Sequence, residues 1–191
     1  MASTLKVNTI QGASNTTTTF KTNGGTDAMT INTSGIITSP LKPAFFAYNN
    51  SNNWYEQTHN DYTIPMVLPD TLTNVGNCYN TSTNIFTAPV AGTYQFYATA
   101  YTHNNGGTRY MVIWTGANTG SMNKDSMGVE DNTGIGTSGS RQVWTSLTKN
   151  LNANDVVKAC CFHTADTVNS YYNGSDVAIY THFSGSLING Y

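Results

Sequence analysis

Between Leu72 and Tyr97 the chain reads LTNVGNCYNTSTNIFTAPVAGTYQFY, and no other stretch limits its fold so tightly. Tyr79 and Phe86 flank Asn80-Thr81-Ser82-Thr83-Asn84, a polar cluster of the kind that closes a hairpin. Ala88-Pro89-Val90-Ala91-Gly92 interrupts the pattern, and Tyr94, Phe96, Ala98 and Ala100 then recur at every second position. A period of two belongs to a strand, since a helix repeats near 3.6 residues. Pro89 has no N–H to give a central ladder, and Gly92 is expected to supply a positive φ in a tight turn before the strand. The unit is a hairpin, a corner and a long buried strand.

The same residues resemble the core signature of the complement C1q-like, tumour-necrosis-factor-like jelly-roll domain. That signature has Asn-x-Gly before an aromatic, a short polar turn, and then Phe-Thr-Ala-Pro-x-x-Gly-x-Tyr-x-Phe. Here these are Asn74-Val75-Gly76, Tyr79, Phe86-Thr87-Ala88-Pro89, Gly92, Tyr94 and Phe96. The resemblance extends from Pro43-Ala44-Phe45, which matches the domain's usual opening, to Phe183-Ser184-Gly185-Ser186-Leu187-Ile188, which matches its close. Asn154 stands where the family has Gly in Leu-x-x-Gly-Asp-x-Val, and Asn tolerates the left-handed conformation that Gly would take. The resemblance covers 43–188 and implies an all-β sandwich of two antiparallel sheets that assembles as a homotrimer. Arg109–Trp114 reads as a strand apolar on both faces, which burial of one face against a neighbouring subunit would explain.

Residues 1–42 have a different texture. Leu5 and Val7 alternate with Lys6 and Asn8 as in a short strand, Gly12–Thr19 is a polar tract, and Asn23-Gly24-Gly25 is a hairpin-type turn. There is too little apolar material for an independent core, so such a segment orders by trimerising, by wrapping on a partner, or not at all. STLKVNTIQG and GGTDAMTINTSG resemble the N-terminal segments of tail-fibre and other structural proteins of marine bacteriophages. That resemblance implies a stem at 1–42, anchored to other virion proteins with Leu5, Val7 and Ile10 as candidate contacts, ahead of a head domain at 43–191.

Composition narrows the classes further. Only 9% of the 191 residues are charged and the net charge is −2, with no cluster of Lys and Arg, so electrostatic binding to nucleic acid or to an anionic membrane is not expected. No apolar run has the length of a membrane-spanning helix. Met1–Lys6 lacks the basic and apolar segments of a signal peptide, so the expectation is a protein made in a cytoplasm and, with the phage-like stem, assembled there into a virion. Cys78, Cys160 and Cys161 are too few for a disulfide framework, and adjacency on a strand points the last two to opposite faces.

No catalytic constellation is present. His59, His103, His163 and His182 are scattered, and none stands in an activated-nucleophile motif; neither an enzyme nor a cofactor is expected. Asp125, Glu130 and Asp131 are the only local acidic group that could offer calcium several hard oxygens, in what reads as a long loop over 116–141. Trp54-Tyr55 and Tyr171-Tyr172 lie in Asn- and Ser-rich segments read as loops. Their rings either stack on a glycan while neighbouring amides bond its hydroxyls, or pack on the domain or across a trimer interface. The function implied is a trimeric, fibre-like virion protein whose head binds a glycan on the host surface. The alternatives are a capsid or neck decoration without receptor binding, and a secreted C1q-like recognition protein.

Overall fold

A computed structural model describes residues 16–50, 54–59, 63–104, 108–130, 139–164, 170–173 and 180–190; at 54–59, 103–104, 130, 139–141 and 170–173 it describes the backbone alone. Every regular element among them is a strand: β1 (Thr18–Lys21), β2 (Asp27–Ile31), β3 (Ile37–Thr38), β4 (Ala44–Tyr48), β5 (Trp54–His59), β6 (Asp70–Val75), β7 (Tyr79–Asn80), β8 (Ile85–Thr87), β9 (Gly92–Asn104), β10 (Arg109–Asn118), β11 (Ser121–Glu130), β12 (Gly139–Leu151), β13 (Val156–His163), β14 (Ser170–Asn173) and β15 (His182–Gly190). The chain divides into two compact units, 1–42 and 43–191.

In the first unit β1, β2 and β3 form a three-stranded antiparallel sheet. Gly25, at φ +80°, closes the first hairpin, where its N–H donates to the Thr22 carbonyl at 2.9 Å. Asn32 organises the second turn, its Oδ1 accepting from the N–H of Ser34 and of Ile36, both at 2.9 Å. The short Asn side chain mimics a backbone turn here. The expected strand over Leu5 and Val7, and Ile10 with it, lies outside the described residues.

The second unit is a sandwich of two sheets. One has the order β6-β4-β15-β9-β12 and the other β7-β8-β13-β10-β11, antiparallel within each. β14 and β5 bridge them at one end: β14 pairs with β9 and β5, and β5 runs parallel to β13. The core between the sheets is aromatic, and the signature residues build it. Phe45 stacks on Tyr79 and Phe86 at 4.9 and 5.2 Å and meets Phe183 edge-on at 5.0 Å, while Phe96 and Tyr94 close on Phe86 at 5.2 and 5.4 Å. Offset and edge-on ring pairs of this kind add about 0.5–1.5 kcal/mol each beyond their burial.

The motif's polar and glycine positions have physical reasons as well. Asn74 holds the Tyr79 backbone from both sides, accepting from its N–H at 3.0 Å and donating to its carbonyl at 2.8 Å, around a turn in which Gly76 has φ +78°. Gly92 is not in the left-handed region expected for it; a Cβ there would meet Leu187 Cδ1 at 2.5 Å and the Asn189 carbonyl at 2.6 Å. Close approach by β15, not turn conformation, is what calls for Gly. Gly185 faces the same limit, since a Cβ would lie 2.5 Å from Phe96 and 2.8 Å from Phe45. Asn154 has φ +73°, in keeping with Asn replacing Gly there.

Two local readings are corrected. The loop expected over 116–141 is in large part strand: β10 runs to Asn118 and β11 follows within three residues as its hairpin partner. Gly116 makes that close pairing possible, since a Cβ there would lie 2.0 Å from the Ser121 carbonyl oxygen, and Gly128 lets β11 approach β12, where a Cβ would lie 1.8 Å from the Trp144 carbonyl oxygen. The last described strand runs from His182 to Gly190. Thr63–Leu68 is irregular, its Met66 N–H donating to the Ala159 carbonyl at 2.8 Å while Met66 and Leu68 enter the core. The second apolar face of β10 needs no neighbouring subunit either. Val112 and its partner Cys160 are fully buried within the one chain, beside Tyr110 and Phe162, whose rings stack at 4.6 Å.

Candidate assembly and binding surfaces

The alternation along β9 sends Tyr94, Phe96, Ala98 and Ala100 into the core and therefore Gln95, Tyr97 and Tyr101 outward. The same parity on β12 buries Val143 and exposes Trp144, and on β4 it buries Phe45 and Ala47 and turns Phe46 and Tyr48 out. Strand order then joins these outward rings. Tyr48 lies 6.4 Å from Phe46, Phe46 stacks on His182 at 4.7 Å, His182 lies 5.5 Å from Tyr97, and Tyr97 stacks on Trp144 at 6.1 Å. Five rings thus cross the whole width of β4-β15-β9-β12 on the face away from the core. Trp144 is 57% exposed and Tyr97 37%.

Two depressions border the strip. One, of about 320 Å³, has a floor of small residues, Ser184, Gly185 and Ser186, between Phe46 and Tyr97. The other, of about 480 Å³, lies between β11 and β12 and is walled by Met127, Val129 and Trp144. Met127 and Val129 are 46% and 53% exposed, so the apolar surface continues past Trp144 round the sheet edge. Under the rings, Thr99 is fully buried with no partner for its hydroxyl, and the register neighbour His182 has an Nδ1 likewise without one. Burial holds the His182 imidazole below its ordinary pKa, because a charged ring would lose part of its solvation there.

The residues singled out in the sequence fall in three places. Trp54-Tyr55 and Tyr171-Tyr172 are on strands, not loops, and the two pairs are brought together: in the β5–β14 register Tyr172 stands opposite Tyr55, Tyr171 opposite Glu56 and Asn173 opposite Trp54. β14 in turn sets Tyr172 opposite Thr102 of β9. Asp125 is on β11, where it accepts from the Thr115 hydroxyl and pairs with Lys149 at 2.6 Å. Glu130 ends the same strand, five positions on, and an extended chain separates two such residues by roughly 17 Å. Asp131, like Leu5, Val7 and Ile10, lies outside the described residues. Among the described residues no group of three His, Cys, Asp or Glu is placed to hold a metal ion.

The outward ring strip is the surface that sequence reading missed, although a signal for it exists. Tyr97 and Trp144 sit out of phase with buried neighbours, where a soluble strand ordinarily carries polar side chains. The alternation shows each ring facing out. It does not show that they meet.

With this geometry in hand, solved structures of the same fold can be set beside the chain. The globular domain of zebrafish complement 1qA protein matches with a TM-score of 0.57 at 20% identity, over 78% of this chain and 99% of that one. Eiger TNF from S. frugiperda matches with a TM-score of 0.61 at 9% identity, over 79% and 95%. Murine APRIL matches with a TM-score of 0.55 at 9% identity, over 77% and 99%. No family model and no curated protein matches the chain. The fold is therefore an all-β C1q/TNF-like jelly roll, established by shape at low identity, and function has to be argued from the chain's own surfaces.

Proposed function

We propose that the protein is a non-enzymatic, homotrimeric binding module, and that the ring strip of the β4-β15-β9-β12 face is its subunit interface. The observation that carries this is Trp144, more than half exposed at the end of five contiguous rings. Interface centres are enriched in such aromatic anchors, and a contiguous exposed apolar patch on a soluble domain marks an interaction site. A closed threefold arrangement would also cover the Met127 and Val129 edge, since a cyclic interface joins two different patches of neighbouring subunits.

The trimer in this reading is the distal head of a fibre-like bacteriophage virion protein, with 1–42 as its stem and attachment segment. It binds a host-surface glycan through the β5–β14 region. Support for the ligand site is the register that sets Tyr55 and Tyr172 opposite one another, so that two aromatic pairs more than a hundred residues apart in sequence occupy one small area. Three such areas per trimer multiply a weak single-site affinity. Support for the virion role comes from the phage-like wording of the N-terminal segments alone.

Sedimentation of the purified chain tests the assembly, with a trimer expected and a monomer at micromolar concentration overturning it. Labelled protein applied to bacterial cells tests the ligand. Binding that is lost in Tyr55→Ala/Tyr172→Ala while the trimer persists is the expected result. A trimer that binds no bacterial strain would leave the decoration role in its place.

A further inference from the structure

The sheet of residues 16–42 is two-faced. Phe20 pairs with Met29, and Ile31 pairs with Ile37, so these four large apolar side chains share one face by the period-two rule. Thr19, Thr30 and Thr38 share the other, where the Thr30 and Thr38 hydroxyls bond each other at 2.5 Å. No described residue of this unit is buried, and Ile37, at the edge of the apolar face, is 62% exposed. A sheet with an apolar face is stable only when something covers that face, and three short strands do not supply it themselves.

We propose that this face is covered by the same face of the other two chains, making residues 16–42 a second self-association element of the trimer. Three features on the molecule favour copies of itself over another occupant. The charges nearest the face, Lys21 and Asp27, pair with one another at 2.5 Å, so they offset each other when copies approach. The β3 edge is a poor alternative, because it offers two residues and Pro40 follows it closely. And each sheet is tethered to a head by only Ser39–Lys42, so a trimeric head holds the three sheets at an effective concentration of the order of millimolar. The inference rests on the head being trimeric. It separates two tasks within the stem: the described sheet holds chains together, and contact with a particle falls to other residues.

The test uses the full chain with one added cysteine, Ile37→Cys on the apolar face or Thr38→Cys on the opposite one, treated with a short bis-maleimide. The native thiols give little background: Cys78, Cys160 and Cys161 are buried, and burial raises the Cys78 pKa to about 11. Sedimentation of each variant first establishes that the head is trimeric. In that trimer, Ile37→Cys is expected to move most of the protein into a covalent chain-to-chain product, Thr38→Cys to give none, and a further Met29→Asp to abolish the Ile37→Cys product while the trimer persists. Equal cross-linking from both faces, or none from either in a sedimenting trimer, overturns the stem inference and leaves the head intact as an assembly. A monomeric chain overturns both.

Discussion

The two sheets of the head domain treat their outward faces in opposite ways. On the β13-β10 side the chain completes its own packing: Val112 and Cys160 are fully buried, Tyr110 and Phe162 stack beside them, and Lys158 reaches over the Trp114 ring at 5.7 Å while donating to the Thr63 carbonyl. On the β9-β12 side the rings are more numerous and the cover is missing, so Tyr97 and Trp144 stay open to solvent. Both faces are rich in aromatics. The contrast teaches that ring content does not distinguish a self-contained face from an uncovered one; what counts is whether the chain supplies the second layer.

The largest effect should come from the residues that the two faces share through the core. Gly185→Val drives a branched side chain into Phe96 and Phe45 and is expected to cost about 3 kcal/mol or more, read as a collapsed thermal transition or insoluble expression. Next, Tyr97→Arg/Trp144→Arg should abolish the trimer, since central aromatic anchors are worth about 2 kcal/mol or more each, while the monomer keeps its circular dichroism spectrum. Trp114→Arg on the opposite sheet should lower the melting temperature and leave the trimer mass unchanged. If the two variants behave alike by sedimentation, the distinction between the faces is lost.

Smaller effects sharpen the same contrast. Val112→Ala is expected to destabilise by about 2 kcal/mol at any protein concentration, because its burial is intramolecular. The His182 imidazole belongs to the other face and has a folded-state pKa below the ordinary 6.5. The unfolded chain therefore takes up a proton first as pH falls. Stability from the neutral ring is complete above about 6.5 and is lost as pH falls from there through the folded value. Melting temperature measured across that window should fall for the wild-type chain and fall less for His182→Phe, which keeps the stack without the titration.

How far the sequence carried differs between core and surface. Tyr94 and Phe96 were legible as buried strand positions from alternation, Tyr79 and Phe86 as the flanks of a hairpin, and Phe183 from the resemblance to the family's close; all of them meet in one aromatic core. Gly92 was legible as obligatory but for a different reason, since nothing local to it announces the approach of Leu187 and Asn189 from the far end of the chain. Trp54-Tyr55 and Tyr171-Tyr172 were legible as unusual aromatics in polar surroundings and were misread as loops. Their flanking Asn and Ser residues are turn formers, and a short bridging strand takes its order from the ladder on either side rather than from its own propensity.

By itself, then, the sequence determined which side of each strand faces the core, because side-chain parity is a property of one strand and needs no partner. The jelly roll came from the resemblance of its turns and rings to the C1q-like signature, which the fold bears out. Only the tertiary structure decided that Phe46, His182, Tyr97 and Trp144 form one strip, and that Tyr55 and Tyr172 stand opposite each other. Those neighbours come from strand order, which is set by pairings across long stretches of chain, and no local pattern encodes which strand will lie beside which.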